Sequence, residues 1–495
     1  MLHLRGDART SGERRRAEAG NVFGGGSRTP VAVTIFVKNP NATHEDCKIQ
    51  YRDIGDYFSR EEKLNQLHEA ESISGFGDWE PIIPDQHHDW IEQRSDAFAK
   101  FIPLGTKEAK AGRADNTIHQ LFSNHDACAE NAELMTKDYL DAISELEENP
   151  ELTVDEVARR HSTNIKWDRE LKNNLKRKKK TKSDDNYIRK VVYRPFIPTN
   201  CYADFTFAQM KYQMDRIFPD STSENIVICV PGIGSKKPFS ALMTDIMPDL
   251  GFNEACQCFP RWKYPKTSEE PDASETLLDV DEPPERIDNI SDTALKAFQK
   301  HYKTDKITKD EIFYYVYGIL HAPSYREQFE NDLSKMIPRI PYAPDFSTFA
   351  DAGYKLAELH LNYETCEQYP LRVEFPNISS PPASLEDADS DLFRLTDKAM
   401  RYGPDMQRQL DINTHVRLSG IPEDAYRYVV NGRSPIEWFI DRYYIKTDKD
   451  SGIVNDPNGW FADPRDLVAA IKRIVYVSVE SARIVDNLPA EITAG

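Results

Sequence analysis

The sequence predicts a mixed α/β (α+β) fold, and three observations support this prediction. Of the 495 residues, 39% are hydrophobic and 29% are charged, which is the ordinary composition of a globular chain. Short β-branched runs bounded by Pro, Gly, Asn and Asp lie on both sides of a long segment with helical periodicity. No apolar run approaches the roughly 20 residues of a membrane-spanning helix, so we expect no membrane association.

The first strong strand signal lies at residues 31–37. This run is β-branched and apolar on both faces, a pattern typical of a strand buried inside a sheet. It follows a glycine-rich segment and Pro30, and the sequence around it supplies no obvious partner strands. We therefore expect residues 1–48 to be the C-terminal remnant of a domain whose other strands lie upstream.

Residues 49–185 are predicted to form a helical connecting region. Ser59 and Thr153 are each followed three positions later by Glu, the spacing of a capping box that satisfies free backbone donors at a helix start. The region ends in residues 176–182, where six of seven positions are basic. Such a run is compatible with DNA contact or with a plain solvated loop. The candidates for DNA contact in it are Lys176, Arg177, Lys178, Lys179 and Lys180.

Residues 186–495 are predicted to form a β-containing domain with a helical C-terminal part. Thr308 with Glu311 and Ser434 with Glu437 again have capping-box spacing. A strongly acidic stretch with two adjacent prolines is interpreted as a surface insertion at residues 266–292. The strand signals are short β-prone runs at 191–196, 203–207 and 226–230.

The net charge of −19 argues, as a total, against nucleic-acid binding, but the charge is distributed unevenly. Five arginines lie within the first sixteen residues, and the basic run follows later in the chain. Seven scattered cysteines predict a reducing, cytoplasmic location rather than a disulfide framework. Cys256 and Cys258 form the only close pair, and no second pair or nearby histidine accompanies them in the sequence. We therefore predict no metal site.

No self-sufficient catalytic centre is predicted. Residues 230–237 follow a strand and contain two glycines and two lysines, but they lack the spacing of a phosphate-binding loop. The motifs of serine hydrolases and of zinc proteases are absent from the sequence, and no cysteine stands in a nucleophile signature.

Residues 193–196 are a second candidate for DNA contact. Tyr193, Arg194 and Phe196 place an arginine between aromatic side chains, which suits neutralisation of phosphates together with insertion into a groove. The alternative is an edge strand whose aromatic side chains pack inward.

Several sequence blocks resemble a known enzyme family. Residues 21–39 (NVFGGGSRTPVAVTIFVKN) resemble the last strands of the catalytic domain in amino-type DNA adenine methyltransferases. The other blocks are similar to the C-terminal region of type ISP restriction–modification enzymes, single chains that join a nuclease, a translocating ATPase, an N6-adenine methyltransferase and a target-recognition domain. These blocks are YRDIGDY (51–57), VYRPF (192–196), PGIGSKKPFS (231–240), IFYYVYGILH (312–321), PRIP (338–341) and YVVNGRS (428–434).

The resemblance implies a division of the chain into three parts. Residues 1–48 would be the remnant of the methyltransferase sheet, residues 49–185 the helical connection, and residues 186–495 the target-recognition domain. The function implied is sequence-specific recognition of double-stranded DNA. Phe23 matches the family's aromatic residue that packs on the flipped adenine.

The sequence lacks the family's loop for S-adenosylmethionine and its Asn/Asp-Pro-Pro-Tyr motif. The helicase and nuclease parts are also missing, so the chain is expected to bind no cofactor. S-adenosylmethionine, ATP and Mg²⁺ would serve the complete enzyme. We expect the catalytic half to be a methyltransferase–helicase polypeptide from a neighbouring gene. Two alternatives stay open: a site-specific N6-adenine DNA methyltransferase in its own right, and an inactive gene fragment.

Overall fold

A computed structural model describes the chain in two compact units. The described residues are 1–493 apart from 11, 25, 42, 44–46, 112, 114–115, 125–131, 163–164, 166, 183–186, 205, 208–211, 250, 266–284, 397–398 and 448–453. Most of the acidic insertion predicted at 266–292 therefore lies outside the described residues. Unit 1 comprises residues 1–100, 233–239 and 329–336, and unit 2 comprises 101–232, 240–328 and 337–495.

Helices and strands are numbered here in chain order. The helices are α1 (Gly12–Glu18), α2 (Arg60–Ala70), α3 (Lys107–Lys110), α4 (Ala132–Glu148), α5 (Val154–Arg160), α6 (Arg169–Lys176), α7 (Asp292–Tyr302), α8 (Lys309–His321), α9 (Pro323–Gln328), α10 (Glu330–Lys335), α11 (Phe346–Leu361), α12 (Pro435–Arg442) and α13 (Asp466–Asp486). The strands are β1 (Leu2–Arg5), β2 (Val31–Val33), β3 (Ile49–Asp53), β4 (Glu80–Ile82), β5 (Ile102–Pro103), β6 (Ser123–Asn124), β7 (Ile188–Arg194), β8 (Ile197–Tyr202), β9 (Val227–Val230), β10 (Leu242–Thr244), β11 (Met247–Pro248), β12 (Gln257–Pro260), β13 (Trp262–Lys263), β14 (Ile287–Asp288), β15 (Arg339–Ile340), β16 (Arg372–Glu374), β17 (Arg401–Gly403), β18 (Met406–Asp411), β19 (Arg417–Ser419), β20 (Lys446–Thr447) and β21 (Val454–Asn455).

Unit 1 is built on a four-stranded sheet with the order β2-β1-β3-β4. β1 pairs antiparallel with β2 and parallel with β3. A small core contains the buried side chains of Leu2, Leu4, Val22 and Ile54. Helix α2 begins at the predicted capping box, because the Ser59 side chain accepts from the Glu62 N–H and the Glu62 carboxylate accepts from the Ser59 N–H.

The strand predicted at residues 31–37 is shorter and more exposed than its pattern indicated. Only β2 is extended and paired, and it lies at the edge of the sheet with β1 as its single neighbour. Ile35, Phe36 and Val37 are 58%, 81% and 85% exposed. The prediction of a buried strand is therefore wrong for this segment, since an edge strand has a neighbour on one side only.

The region predicted to be helical, residues 49–185, contains strands as well. Helices α2 to α6 lie there, and the predicted capping box at Thr153 and Glu156 begins α5. Strands β3 to β6 lie there too. These strands are two to five residues long, too short to display a periodic pattern in the sequence.

Helices α8 and α11 pack against each other within unit 2, and most residues of α8 are buried. Thr308 and Glu311 form the predicted capping box of α8, and Ser434 and Glu437 form that of α12. Helices α8 and α11 approach closely at a glycine, because a Cβ atom at Gly353 would lie 1.8 Å from the Tyr314 carbonyl oxygen. The described part of the chain contains no helix that is both long and apolar enough to cross a membrane.

Unit 2 also contains three larger sheets. Their strand orders are β10-β9-β12-β6, β11-β7-β8 and β16-β19-β18-β17. Strands β9 and β12 are buried along their whole length. The combination of helices with small, largely antiparallel sheets confirms the mixed α/β fold class.

Candidate nucleic-acid interface

The basic run begins at the C-terminal end of helix α6. The Asp168 side chain accepts a hydrogen bond from the Leu171 N–H and begins the helix, and Leu171 and Leu175 are its buried residues. The helix ends at Arg177, and Lys178 takes a left-handed backbone conformation with φ 52°. Cations at this end of a helix are favoured by its dipole.

All five side chains of the basic run point to solvent. Lys176, Arg177, Lys178, Lys179 and Lys180 are each exposed. No described carboxylate lies within ion-pair distance of these five side chains. The backbone of the run is nevertheless fixed, because the Tyr139 hydroxyl donates to the Lys179 carbonyl oxygen at 2.9 Å. The run therefore presents unpaired positive charge from an anchored backbone.

Tyr193 and Arg194 lie at the turn between β7 and β8. The Arg194 guanidinium lies over the Tyr193 ring, 3.9 Å from its centroid, and one guanidinium nitrogen donates to the Tyr193 carbonyl oxygen at 2.7 Å. The same nitrogen lies 3.4 Å from the Asp249 carboxylate. The Tyr193 side chain is 37% exposed, so this stacked pair has a surface that a ligand can reach.

A tight turn after β11 holds the Arg194 side chain in this position. The Asp249 carboxylate accepts from the Gly251 N–H at 2.9 Å. A Cβ atom at Gly251 would lie only 1.8 Å from a guanidinium nitrogen of Arg194. A larger residue at this position would therefore displace the arginine side chain.

Phe196 lies in the core and not on the surface. Its ring is 3% exposed and packs edge-on against Tyr363 and His360, with centroid distances of 5.4 and 5.9 Å. A ring in this position has no free face for a base or a sugar. We therefore withdraw Phe196 from the candidates for DNA contact, because this aromatic side chain packs inward as the alternative interpretation required.

Phe23 lies on the surface of unit 1. Its ring is 64% exposed, and its N–H donates to the Asn21 side chain at 2.9 Å. It is therefore not a core residue of the neighbouring strand pair. The assignment of Phe23 to base stacking stays a prediction.

Two of the blocks that carry the family resemblance, 312–321 and 428–434, meet in a buried polar network within unit 2. The Tyr317 hydroxyl lies 2.6 Å from Nδ1 of His360, and Nε2 of His360 lies 3.0 Å from the Ser481 hydroxyl. Nε2 of His321 lies 3.1 Å from the Tyr428 hydroxyl. Burial lowers the pKa of His360 to about 3 and holds the pKa of His321 well below its usual range. Neutral imidazoles inside the core point to a structural role.

A third block, 231–240, is joined to block 428–434 through Ser240 and Asn431. The Asn431 N–H donates to the Ser240 hydroxyl at 3.3 Å, and that hydroxyl lies 3.2 Å from the Asn253 side-chain oxygen. Asn431 has a φ of 54°, a left-handed conformation that asparagine tolerates better than most residues. These three blocks are therefore held in place by buried contacts.

One polar surface was missed by sequence reasoning. Arg372, Ser419 and Gln409 lie directly opposite one another on strands β16, β19 and β18, so they share one face of that sheet. Arg417 on the same face binds Asp411 through two hydrogen bonds of 2.5 and 3.1 Å. Alternation in these short strands was the available signal, but pairing over distances of about 40 residues hid it.

The comparisons with known proteins agree with this architecture. The family described as "Type ISP C-terminal specificity domain" matches residues 120–470, which is more than half of the chain. No curated protein gives a significant match. The chain therefore belongs to the family of Type ISP C-terminal specificity domains.

The similarity to solved structures extends beyond the residues that match the family. A nuclease-deletion mutant of the Type ISP restriction–modification enzyme LlaGI, in complex with a DNA substrate mimic, is 31% identical over 100% of this chain and 37% of that chain, with a TM-score of 0.81. The ATP-dependent Type ISP enzyme LlaBIII bound to DNA is 27% identical over 99% of this chain and 30% of that chain, with a TM-score of 0.80. The protein in a DrdV–DNA complex is 30% identical over 99% of this chain and 47% of that chain, with a TM-score of 0.77. This chain thus spans less than half the length of each.

Proposed function

We propose that the chain recognises a specific sequence in double-stranded DNA, as the specificity part of a Type ISP restriction–modification enzyme. The observation that carries this proposal is the anchored run of five exposed, unpaired cations next to the β7–β8 hairpin that presents Arg194. Phosphate contacts from such cations position a protein on the duplex, and side chains that reach base edges select the sequence. The solved enzymes LlaGI and LlaBIII are described in complex with a DNA substrate mimic and with DNA.

Strand β7 extends from the neighbourhood of the basic run to Arg194. The Tyr202 hydroxyl bonds the Lys182 carbonyl oxygen, and Tyr202 pairs with Ile188, so the basic run lies near the start of β7. Arg194 ends the same strand, six residues later. At ~3.3 Å per residue β7 is about 20 Å long from Ile188 to Arg194, which is the length of about six base pairs.

The complete activity needs partners outside this chain. We propose that a methyltransferase–helicase polypeptide supplies the catalytic half, with S-adenosylmethionine, ATP and Mg²⁺ as its cofactors. A cytoplasmic location follows from this function. A pull-down of the tagged chain from its native cell tests the partner. Recovery of a polypeptide with the methyltransferase motifs supports it, and recovery of the chain alone contradicts it.

Salt dependence of DNA binding tests the role of the basic run. Each neutralised phosphate contributes about −0.9 to the slope of log K against log salt, so a variant with alanine at residues 176–180 is expected to lose up to about 4.5 from that slope. A matched variant replaces exposed lysines near α7 and is expected to keep the wild-type slope. These lysines are Lys296, Lys300, Lys303 and Lys306.

Three outcomes of that titration are informative. A flatter slope in the first variant alone assigns the run to phosphate contact. Equal slopes in all three proteins show that the run is a solvated loop that makes no phosphate contact. Equal flattening in both variants shows a general charge effect and contradicts a local interface.

Selection from a randomised duplex library tests sequence recognition. The wild-type chain is expected to enrich one sequence. Arg194→Ala is expected to weaken that enrichment by about one to two orders of magnitude, since a bidentate base contact contributes ~1–3 kcal/mol of discrimination. Unchanged enrichment by Arg194→Ala would show that Arg194 does not contribute to sequence recognition.

A further inference from the structure

Three cysteines from two separate segments of the chain meet in the core of unit 2. Cys229 lies on β9, and Cys256 and Cys258 lie at and within β12. β9 and β12 are adjacent antiparallel strands, and their register places Cys229 directly opposite Cys258. Cys256 is two residues from Cys258, so alternation along the strand brings it to the same face. All three side chains are fully buried.

The distances between the sulfur atoms match those of a metal–thiolate centre. Sγ of Cys258 lies 3.9 Å from Sγ of Cys229 and 3.7 Å from Sγ of Cys256, and all three sulfurs lie within 4.8 Å of one another. A zinc–sulfur bond is about 2.3 Å long, so sulfurs around one tetrahedral zinc ion are about 3.8 Å apart. An ion at bonding distance from all three sulfurs would require little movement of the strands.

We propose that Cys229, Cys256 and Cys258 form a binding site for a thiophilic d¹⁰ metal ion of the Zn²⁺ class. Thiolate sulfur is the ligand that such ions prefer in proteins, and all three side chains offer sulfur rather than oxygen. The sulfurs bind as thiolates, so three protons leave to solvent when three metal–sulfur bonds form.

The ion would fix the turn that precedes β12. Glu254 and Ala255 have φ angles of 47° and 58°, left-handed conformations that non-glycine residues rarely adopt. The Glu254 carbonyl oxygen accepts from the Gly232 N–H at 3.3 Å, which ties this turn to the end of β9. Metal bonds from Cys256 and Cys229 would hold the same two segments together.

Titration of the full chain with Cd²⁺ tests the site. The reduced chain is stripped with a chelator and kept free of oxygen, and the ultraviolet charge-transfer absorption of cadmium thiolates is followed. We expect saturation at one ion per chain, displacement by Zn²⁺, and loss of the saturable signal in Cys258→Ala. Cys201→Ala is the matched control, because Cys201 is a buried cysteine of the same core outside the triad. It is expected to keep the full signal.

Thermal melting provides a readout that is independent of DNA binding. Zn²⁺ is expected to raise the melting temperature of the wild type and of Cys201→Ala but not of Cys258→Ala. If Cys258→Ala does not fold, the number of Cd²⁺ ions bound per wild-type chain still decides whether the site exists. The proposal is overturned by the absence of a one-ion saturation point, or by an unchanged signal in a folded Cys258→Ala. It is also overturned if the isolated chain holds a Cys229–Cys258 disulfide, seen as the loss of two hydrogens in its mass.

Discussion

Three buried histidines are expected to make the fold sensitive to mild acid. His119, His321 and His360 are almost completely buried, and desolvation lowers the pKa of His119 and of His360 to about 3. The pKa of His321 is also lowered well below its usual range. A histidine in the unfolded chain has a pKa of about 6.5. Between these values only the unfolded chain binds the proton, so the free energy of unfolding falls as the pH drops below about 6.5.

The magnitude follows from proton linkage. Between pH 7.5 and 5.5 each such histidine lowers the free energy of unfolding by about 1.4 kcal/mol, and the three together by about 4 kcal/mol. A typical domain has a total stability of only ~5–15 kcal/mol. The loss is therefore large enough to shift a denaturation midpoint.

Urea denaturation at the two pH values measures this loss. His119→Phe isolates one group, because both ring nitrogens of His119 lack a hydrogen-bond partner and its ring lies among Phe259 and Phe313. This variant is expected to lose about 1.4 kcal/mol less than the wild type between pH 7.5 and 5.5. The exposed His301 provides the control, and His301→Phe should reproduce the wild-type loss. An equal pH dependence in wild type and His119→Phe would refute the reasoning.

Three further predictions concern the DNA-binding surfaces and the cofactor. Gly251→Ala places a Cβ atom where the Arg194 guanidinium lies, so DNA binding should weaken about tenfold with little loss of stability. The control is Gly459→Ala, whose added Cβ atom enters open space, and this variant should bind DNA as the wild type does in the same assay. Once the catalytic half is supplied, Phe23→Ala should lower methylation by about one to two orders of magnitude through lost stacking, and Phe23→Trp should retain more activity. Since Phe23 is exposed, neither variant should lower the melting temperature. Calorimetry should detect no S-adenosylmethionine binding to the chain alone, and micromolar binding would reveal a pocket that its sequence motifs do not predict.

The sequence by itself determined the features whose causes lie within a few residues. The capping boxes at Ser59, Thr153, Thr308 and Ser434 begin helices as predicted, because the two hydrogen bonds of each box join residues three positions apart. The resemblance of the sequence blocks was confirmed by the family match. The exposed basic run could also be foreseen, since consecutive charged side chains are rarely buried.

Tertiary structure alone decided which distant residues meet. Phe196 follows Arg194 closely in sequence, yet its ring enters the core while Arg194 is held by Gly251 and Asp249. Cys229 joins Cys256 and Cys258 only through the register of two strands. Strand register and edge position are set by the whole sheet, and local spacing carries no record of them. For the same reason residues 31–37 have a buried-strand pattern but mostly remain outside the sheet.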